Sequence, residues 1–331
     1  MKFGEAFTEY LQAHQERFLE DCSHVEYKRL KKVLKSCRTC RDLKDSYEVN
    51  NGKGDALSRL CQCESCPVCD QKFFSELAKE ASDIAGCFSS RVRHLLNLHE
   101  HKIQRFITFV RQCFQSPQQA TEQECRMLIE YVIMNALAIR KILKKYDKVH
   151  SSDNGRKFKS KMLSEHIEVL QSPWLIELGA FYINFSKSNG GRSDEPLNPF
   201  SCDLITTEPK MTLMLPDMVK LEYNLTCPIC LELVFKPYAL GCGHLFCKSC
   251  ACSAASVMIF EGPKAACSGS KCPVCREVGV YCNAVHMIEL SLLLKKQCKE
   301  SWKERAAEER AEISRQTKMY WDVQSKYMIG Y

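Results

Sequence analysis

The chain reads as mainly α, with one small α+β module set toward its C-terminal end. Three observations carry this. Apolar residues recur at helical spacing through most of residues 1–185. Eight Cys and His residues fall in four short pairs between Cys227 and Cys275. Beyond them, residues 300–315 alternate in charge in the manner of a solvated helix.

At 331 residues the chain is long enough for two domains. An apolar content of 45% and a charged content of 26% are ordinary for a globular protein. The most apolar stretch, Met127 to Ile142, is interrupted by Glu130, Asn135 and Arg140, so it reads as an amphipathic helix and not a membrane span. The chain starts Met1-Lys2-Phe3-Gly4 with no apolar leader, which points to a reducing, cytoplasmic setting. Recruitment to the plasma membrane by a substrate, and nuclear entry, are left open.

The N-terminal elements follow in order. Phe3, Phe7, Tyr10 and Leu11 keep helical spacing. Ser23-x2-Glu26 reads as a capping box before Tyr27-Lys28-Arg29-Leu30. A long helix is predicted from Gln71 to Cys113, and Thr121-x2-Glu124 is read as the cap of another running to Val149. Such lengths suggest an antiparallel bundle.

Two of these helices carry the same basic stripe. Lys28, Lys31, Lys32 and Lys35 form one; Lys141, Lys144, Lys145 and Lys148 form the other. Each has the i, i+3, i+4, i+7 spacing of one helical face. Like charges at that spacing repel by a few tenths of a kcal/mol. Either stripe alone is ordinarily a solvated face, but the matched pair suits a clustered anion lying between them. The stripes lack interleaved aromatics, so no nucleic-acid partner is expected.

Between those helices lies a cysteine-rich insert, about residues 37–70. Cys37-x2-Cys40 is followed by Cys61-x-Cys63-x2-Cys66-Pro67-x-Cys69. Cys37, Cys40, Cys66 and Cys69 could hold a zinc ion, or they could be packed or redox-sensitive thiols. Asn50, Asn51, Gly52 and Gly54 make the middle of the insert a loop. Residues 186–222 read as a linker, from the Ser, Gly and Pro content between Ser186 and Pro196 and from Pro199 and Pro209.

The eight-residue constellation is Cys227-x2-Cys230-x11-Cys242-x-His244-x2-Cys247-x2-Cys250-x21-Cys272-x2-Cys275. A Cys-x2-Cys step lets two thiolates of one turn reach the same tetrahedral zinc, so four pairs make two sites. Core packing of free cysteines does not impose paired spacing. Cys252 and Cys267 are spare thiols that leave the ligand register some slack. Two zinc ions and seven thiolates bring the formal charge from +7 to about +4, which leaves no strong general basic footprint.

The order three Cys, one His, four Cys resembles the RING domain of ubiquitin ligases. That resemblance implies interleaved sites: Cys227, Cys230, Cys247 and Cys250 on one zinc, and Cys242, His244, Cys272 and Cys275 on the other. It further implies that Ile229 and Pro273 lie in the groove for a ubiquitin-conjugating enzyme, and that Ala254 to Phe260 supplies that groove's short helix. Arg276 stands where active members carry an arginine touching both ubiquitin and its conjugating enzyme. Four protein ligands close each zinc, so the metal is structural and the chemistry belongs to the partner's thioester.

The N-terminal motifs, Met1-Lys2-Phe3-Gly4, Tyr27-Lys28-Arg29-Leu30-Lys31-Lys32 and Arg140 to Lys148, resemble the SPX domain. The resemblance implies an inositol polyphosphate or pyrophosphate ligand on Lys2, Tyr27, Lys28, Lys31, Lys141, Lys144, Lys145 and Lys148. SPX followed by RING resembles the plant ligases named for nitrogen limitation adaptation. The implied layout is an SPX domain at 1–185, a linker at 186–222, a RING at 223–284 and a helical tail at 285–331. The implied substrates are membrane phosphate or nitrate transporters marked for degradation. A non-enzymatic SPX scaffold is the other reading, and a homodimer is left open.

Overall fold

The computed structural model describes residues 3–14, 22–34, 67–109, 116–150, 152–165, 167–188, 199–204, 208–215 and 220–329. Lys2, Lys35, Cys37, Cys40 and Cys66 lie outside these residues, as does the side chain of Cys69, so the third metal site falls there too. The chain divides into two compact units, 1–172 and 173–331.

The first unit is helical: α1 (Phe3–His14), α2 (Tyr27–Val33), α3 (Pro67–Phe109), α4 (Ser116–His150), α5 (Asn154–Ser164) and a 3-10 turn at Val169–Gln171. Two predicted caps are corrected. Ser23 does not cap α2; Glu26 precedes it without a side-chain cap bond, and its N–H donates instead to Glu80 Oε2 at 3.1 Å. The Ser23 carbonyl is taken by the Tyr131 hydroxyl of α4. Thr121 is buried inside α4, which starts earlier, at Ser116-Pro117, where the proline ring fixes φ for a first turn.

Packing of α3 on α4 buries Leu77, Ile84, Phe88, Leu128, Val132 and Ile139, at roughly 1.5–3 kcal/mol for each large side chain. Asn135 of α4 is fully buried yet satisfied: its Oδ1 accepts Val25 N–H at 2.9 Å, and its Nδ2 donates to Tyr131 O at 2.9 Å. It thereby ties the lead-in of α2 to α4. A disulfide joins Cys22 to Cys87 of α3, where the sequence suggested reduced thiols. Asp147 accepts Gly155 N–H at 2.7 Å, and a Cβ on Gly155 would stand 2.8 Å from both Leu143 O and Asp147 Oδ1. Only glycine fits the start of α5 that closely against α4.

The second unit begins with α6 (Pro173–Ser188). Part of the predicted linker is structured: β1 (Phe200–Asp203), β2 (Lys210–Met214) and β3 (Lys220–Asn224) form an antiparallel sheet in register Phe200↔Leu213 and Met211↔Tyr223. The sheet packs on α6 at Gly179, where a Cβ would meet the Phe200 ring at 2.7 Å. Burial of Phe200, Met211 and Leu213 is what fixes these short strands.

Next come β4 (Pro237–Ala239), β5 (Leu245–Cys247), α7 (Lys248–Ala254), β6 (Val285–His286), α8 (Ile288–Gln297) and α9 (Lys299–Ile329). Strand β4 pairs with both β5 and β6. Helix α8 packs on α6 through a polar lock. Glu177 accepts Glu289 N–H at 2.7 Å and Leu290 N–H at 3.1 Å, and Asn184 Nδ2 donates to Glu289 O at 2.9 Å. Among the described residues, no helix is long and apolar enough to cross a membrane.

Candidate metal centres and partner surface

Two matching turns present the cysteine pairs. In the first, Cys227 N–H donates to Glu232 O at 2.7 Å and Leu231 N–H to Cys227 O at 2.8 Å. In the second, Cys272 N–H donates to Glu277 O and Arg276 N–H to Cys272 O, both at 2.9 Å. Isolated bridges, Thr226↔Leu233 and Lys271↔Val278, close each loop. The residue after each pair is left-handed, Leu231 at φ 60° and Arg276 at φ 62°. Gly243, at φ 84°, turns the chain between Cys242 and His244.

These turns, with β5 and α7, gather the ligand atoms into two clusters. Cys227, Cys230, Cys247 and Cys250 form one; Cys242, His244, Cys272 and Cys275 form the other, the ligand atoms of each lying within 4.8 Å of one another. Cys230 Sγ is 3.7 Å from Cys247 Sγ, and His244 Nδ1 is 3.4 Å from Cys242 Sγ. A tetrahedral zinc with bonds of about 2.3 Å to sulfur and about 2.0 Å to nitrogen sets S···S at about 3.8 Å and S···N at about 3.5 Å. Each cluster therefore fits a zinc ion, with no ligand position left over.

Charge makes the same demand. Several thiolates in one buried cluster need a cation between them. The spare thiols stay apart: Cys252 is buried in α7, and Cys267 is exposed with Ser270 Oγ at 3.2 Å.

The surface beside the clusters is apolar and open. Ile229 is 41% exposed, Leu231 77% and Val274 47%, and Pro273 is exposed among them. Arg276 is exposed as well. The expected groove helix is corrected: α7 spans Lys248–Ala254, and the chain beyond it to Phe260 is turn and irregular, with Ser256 left-handed at φ 57°. Ala251 and Cys252 supply the buried side of that helix.

Sequence spacing did not reveal how α9 engages this module. Trp302 meets the Phe235 ring at 4.5 Å, Glu309 pairs with Lys236, and Gln316 Oε1 accepts Ile259 N–H at 2.9 Å. Arg305 reaches the Cys247 sulfur. Trp302, Arg305, Glu309 and Gln316 recur on one helical face, a signal masked by the surrounding charges.

In the first unit, α2 packs on α4, so the two basic helices are neighbours. The Phe3 ring lies 5.4 Å from Tyr27 and 5.0 Å from Lys141 Nζ, joining α1, α2 and α4 at one corner. Lys28, Lys144 and Lys148 are exposed, while Lys31 and Lys145 are half-buried. Arg29 is drawn off to α3, where it pairs with Glu80 at 2.7 Å and Glu76 at 3.3 Å.

Two closed cysteine and histidine clusters on interleaved turns define a RING-type zinc module, and residues 227–267 match the RING-type zinc-finger family. Over its full length the chain is 59% identical to the probable E3 ubiquitin-protein ligase BAH1-like of Arabidopsis thaliana, across 335 residues and 100% of both chains. It is 56% identical over 342 residues to the probable E3 ubiquitin-protein ligase BAH1-like 1 of Oryza sativa subsp. japonica, and 42% identical over 342 residues to the E3 ubiquitin-protein ligase NLA of Arabidopsis thaliana. Each of those matches also spans 100% of both chains. The chain belongs to this family of plant RING-type E3 ubiquitin-protein ligases and is an E3 ubiquitin transferase.

Proposed function

We propose that the conjugating enzyme docks on Ile229 and Pro273, that Arg276 holds its ubiquitin thioester in a reactive conformer, and that two zinc ions on the eight named ligands keep this face rigid. A substrate lysine amine then attacks the thioester carbonyl. The C–N isopeptide bond forms, the C–S bond breaks and the enzyme's thiol leaves, so this chain needs no covalent residue. The gain is orientation of reactants already bound. The observation that carries this reading is that each ligand turn holds apolar residues open to solvent, Ile229 and Leu231 on the first and Val274 on the second.

The test is conjugation in vitro with Ile229→Ala. Loss of an apolar anchor of this kind costs about 1–2 kcal/mol or more, so chain formation drops about ten-fold while the protein retains two zinc ions. Unchanged conjugation would sink the docking assignment.

The substrates in this reading are membrane phosphate or nitrate transporters, on the strength of the family resemblance. The N-terminal region, 1–185, is read as an SPX domain that binds an inositol polyphosphate or pyrophosphate through Tyr27 and the lysines of α2 and α4. Support comes from two basic helices packed together, with Phe3 touching both Tyr27 and Lys141. Lysine supplies a mobile point charge for clustered phosphates, and Tyr27 a directed hydrogen bond. Titrating the full chain with inositol hexakisphosphate and with DNA at matched salt tests this. Similar, salt-limited binding to both would overturn the site.

A further inference from the structure

The first metal cluster is completed by a residue that the zinc-finger region does not contain. Arg305, in the second turn of α9, places Nη2 3.3 Å from Cys247 Sγ and 3.9 Å from Cys230 Sγ. The guanidinium is fixed on its other sides. Its Nη1 donates to Leu233 O, its Nε lies 3.6 Å from Glu232 Oε2, and its Cζ stands 5.1 Å from the Phe235 ring centroid. Its side chain keeps 19% of its exposure. Leu233, Glu232 and Phe235 all follow the Cys230 turn, so Arg305 grips the cluster and its supporting loop together.

The two clusters are not electrically alike. Four thiolates around a divalent zinc leave a net charge of about −2, whereas three thiolates and a neutral imidazole leave about −1. The charge-rich cluster is the one that receives the arginine. N–H donation to a thiolate draws off electron density and masks a lone pair that a proton, a chelator's metal or an electrophile would otherwise use.

We propose that Arg305 is a positioning residue for the first metal cluster, slowing metal loss from Cys227, Cys230, Cys247 and Cys250 specifically and making α9 part of that site. The inference rests on these four cysteines holding a metal.

The test uses the full chain loaded with Co(II), whose absorption distinguishes a four-sulfur from a three-sulfur, one-nitrogen environment. Release is followed with excess chelator for wild type, Arg305→Ala, Arg305→Lys and Glu309→Gln. Removing a partner that orients a metal ligand costs about 10–100-fold in metal retention. Arg305→Ala is expected to release the four-sulfur metal faster by that factor, with the other site unchanged. Arg305→Lys keeps the charge and one donor and should recover part of the loss. Glu309→Gln breaks the neighbouring pair with Lys236 without touching sulfur, and should leave both rates near wild type.

Equal acceleration at both sites, or the same effect from Glu309→Gln, would mean that helix docking and not the N–H···S contact matters, and would overturn the proposal. So would an Arg305→Ala rate equal to wild type. A wild-type chain with no four-sulfur spectrum would overturn the metal assignment itself, and the inference with it.

Discussion

Glu177 offers a test of how burial and helix capping compete. It lies on α6, and its carboxylate receives the backbone N–H groups of Glu289 and Leu290 in the first turn of α8. Burial, reinforced by the nearby Glu289 side chain, pushes its pKa from 4.5 up to about 8, while the α8 N–H groups pull the other way. Between those values the folded unit holds a proton that the unfolded chain has released. Stability therefore falls as pH rises through this window, and the loss is complete above about pH 8.

At roughly 1.4 kcal/mol per unit, the loss between about pH 6.5 and pH 8 is on the order of 2 kcal/mol. Glu177→Gln removes the titration. Its amide oxygen still accepts one α8 N–H, while its NH2 faces the other, leaving a buried donor unpaired at about 1–3 kcal/mol. The variant should thus be less stable than wild type near pH 6.5, with the gap closing by about 2 kcal/mol toward pH 8. Trp174, Trp302 and Trp321 are the chain's three tryptophans, and all fall in the second unit, so urea unfolding followed by tryptophan fluorescence reads this unit alone. Metal release and other titrations are common to both proteins and cancel in the difference. A wild-type-minus-variant gap that stays constant across pH would refute the reasoning.

Gly179→Ala drives a methyl group into the Phe200 ring and should cost the second unit about 1–3 kcal/mol in the same fluorescence assay, with no change in the helical first unit. Arg276 separates backbone from side chain. Arg276→Gly keeps a left-handed turn at φ 62° and relieves about 1 kcal/mol of conformational cost, so the protein should melt no lower than wild type. If the guanidinium clamps the thioester, conjugation by this variant should still fall at least ten-fold, the equivalent of one charge-assisted hydrogen bond.

The metal centres were legible because their constraints are local. A tetrahedral ion demands two ligands per tight turn, and that demand is written directly into Cys-x2-Cys spacing. Long helices were legible for a similar reason, since periodicity repeats every turn. Their boundaries were less so: Thr121 had the look of a cap, but Pro117 was the better start signal because its fixed φ acts before any side-chain bond forms. Strands β1 to β3 were hidden by the prolines just before them, Pro199 and Pro209, and by their brevity, although Leu221 and Tyr223 alternate with charged or polar neighbours, and only burial on α6 gives the sheet a reason to form. The contacts of Trp302, Arg305 and Glu309 span about seventy residues of sequence, and nothing in a charge-alternating helix says which loop it will meet.

The pairing of α6 with α8 bears on how this ligase can be handled as a cassette. The metal module enters after one of these helices and leaves into the other, so the two act as the clasp of a closed loop of chain. A fragment cut at residues 223–284 opens the clasp, deletes the buried Leu290, Leu293 and Leu294, and discards Arg305. One running from Pro173 to the C-terminus keeps clasp, sheet and α9 together, and is the unit to transplant when a RING of this type is moved onto a new substrate-binding domain.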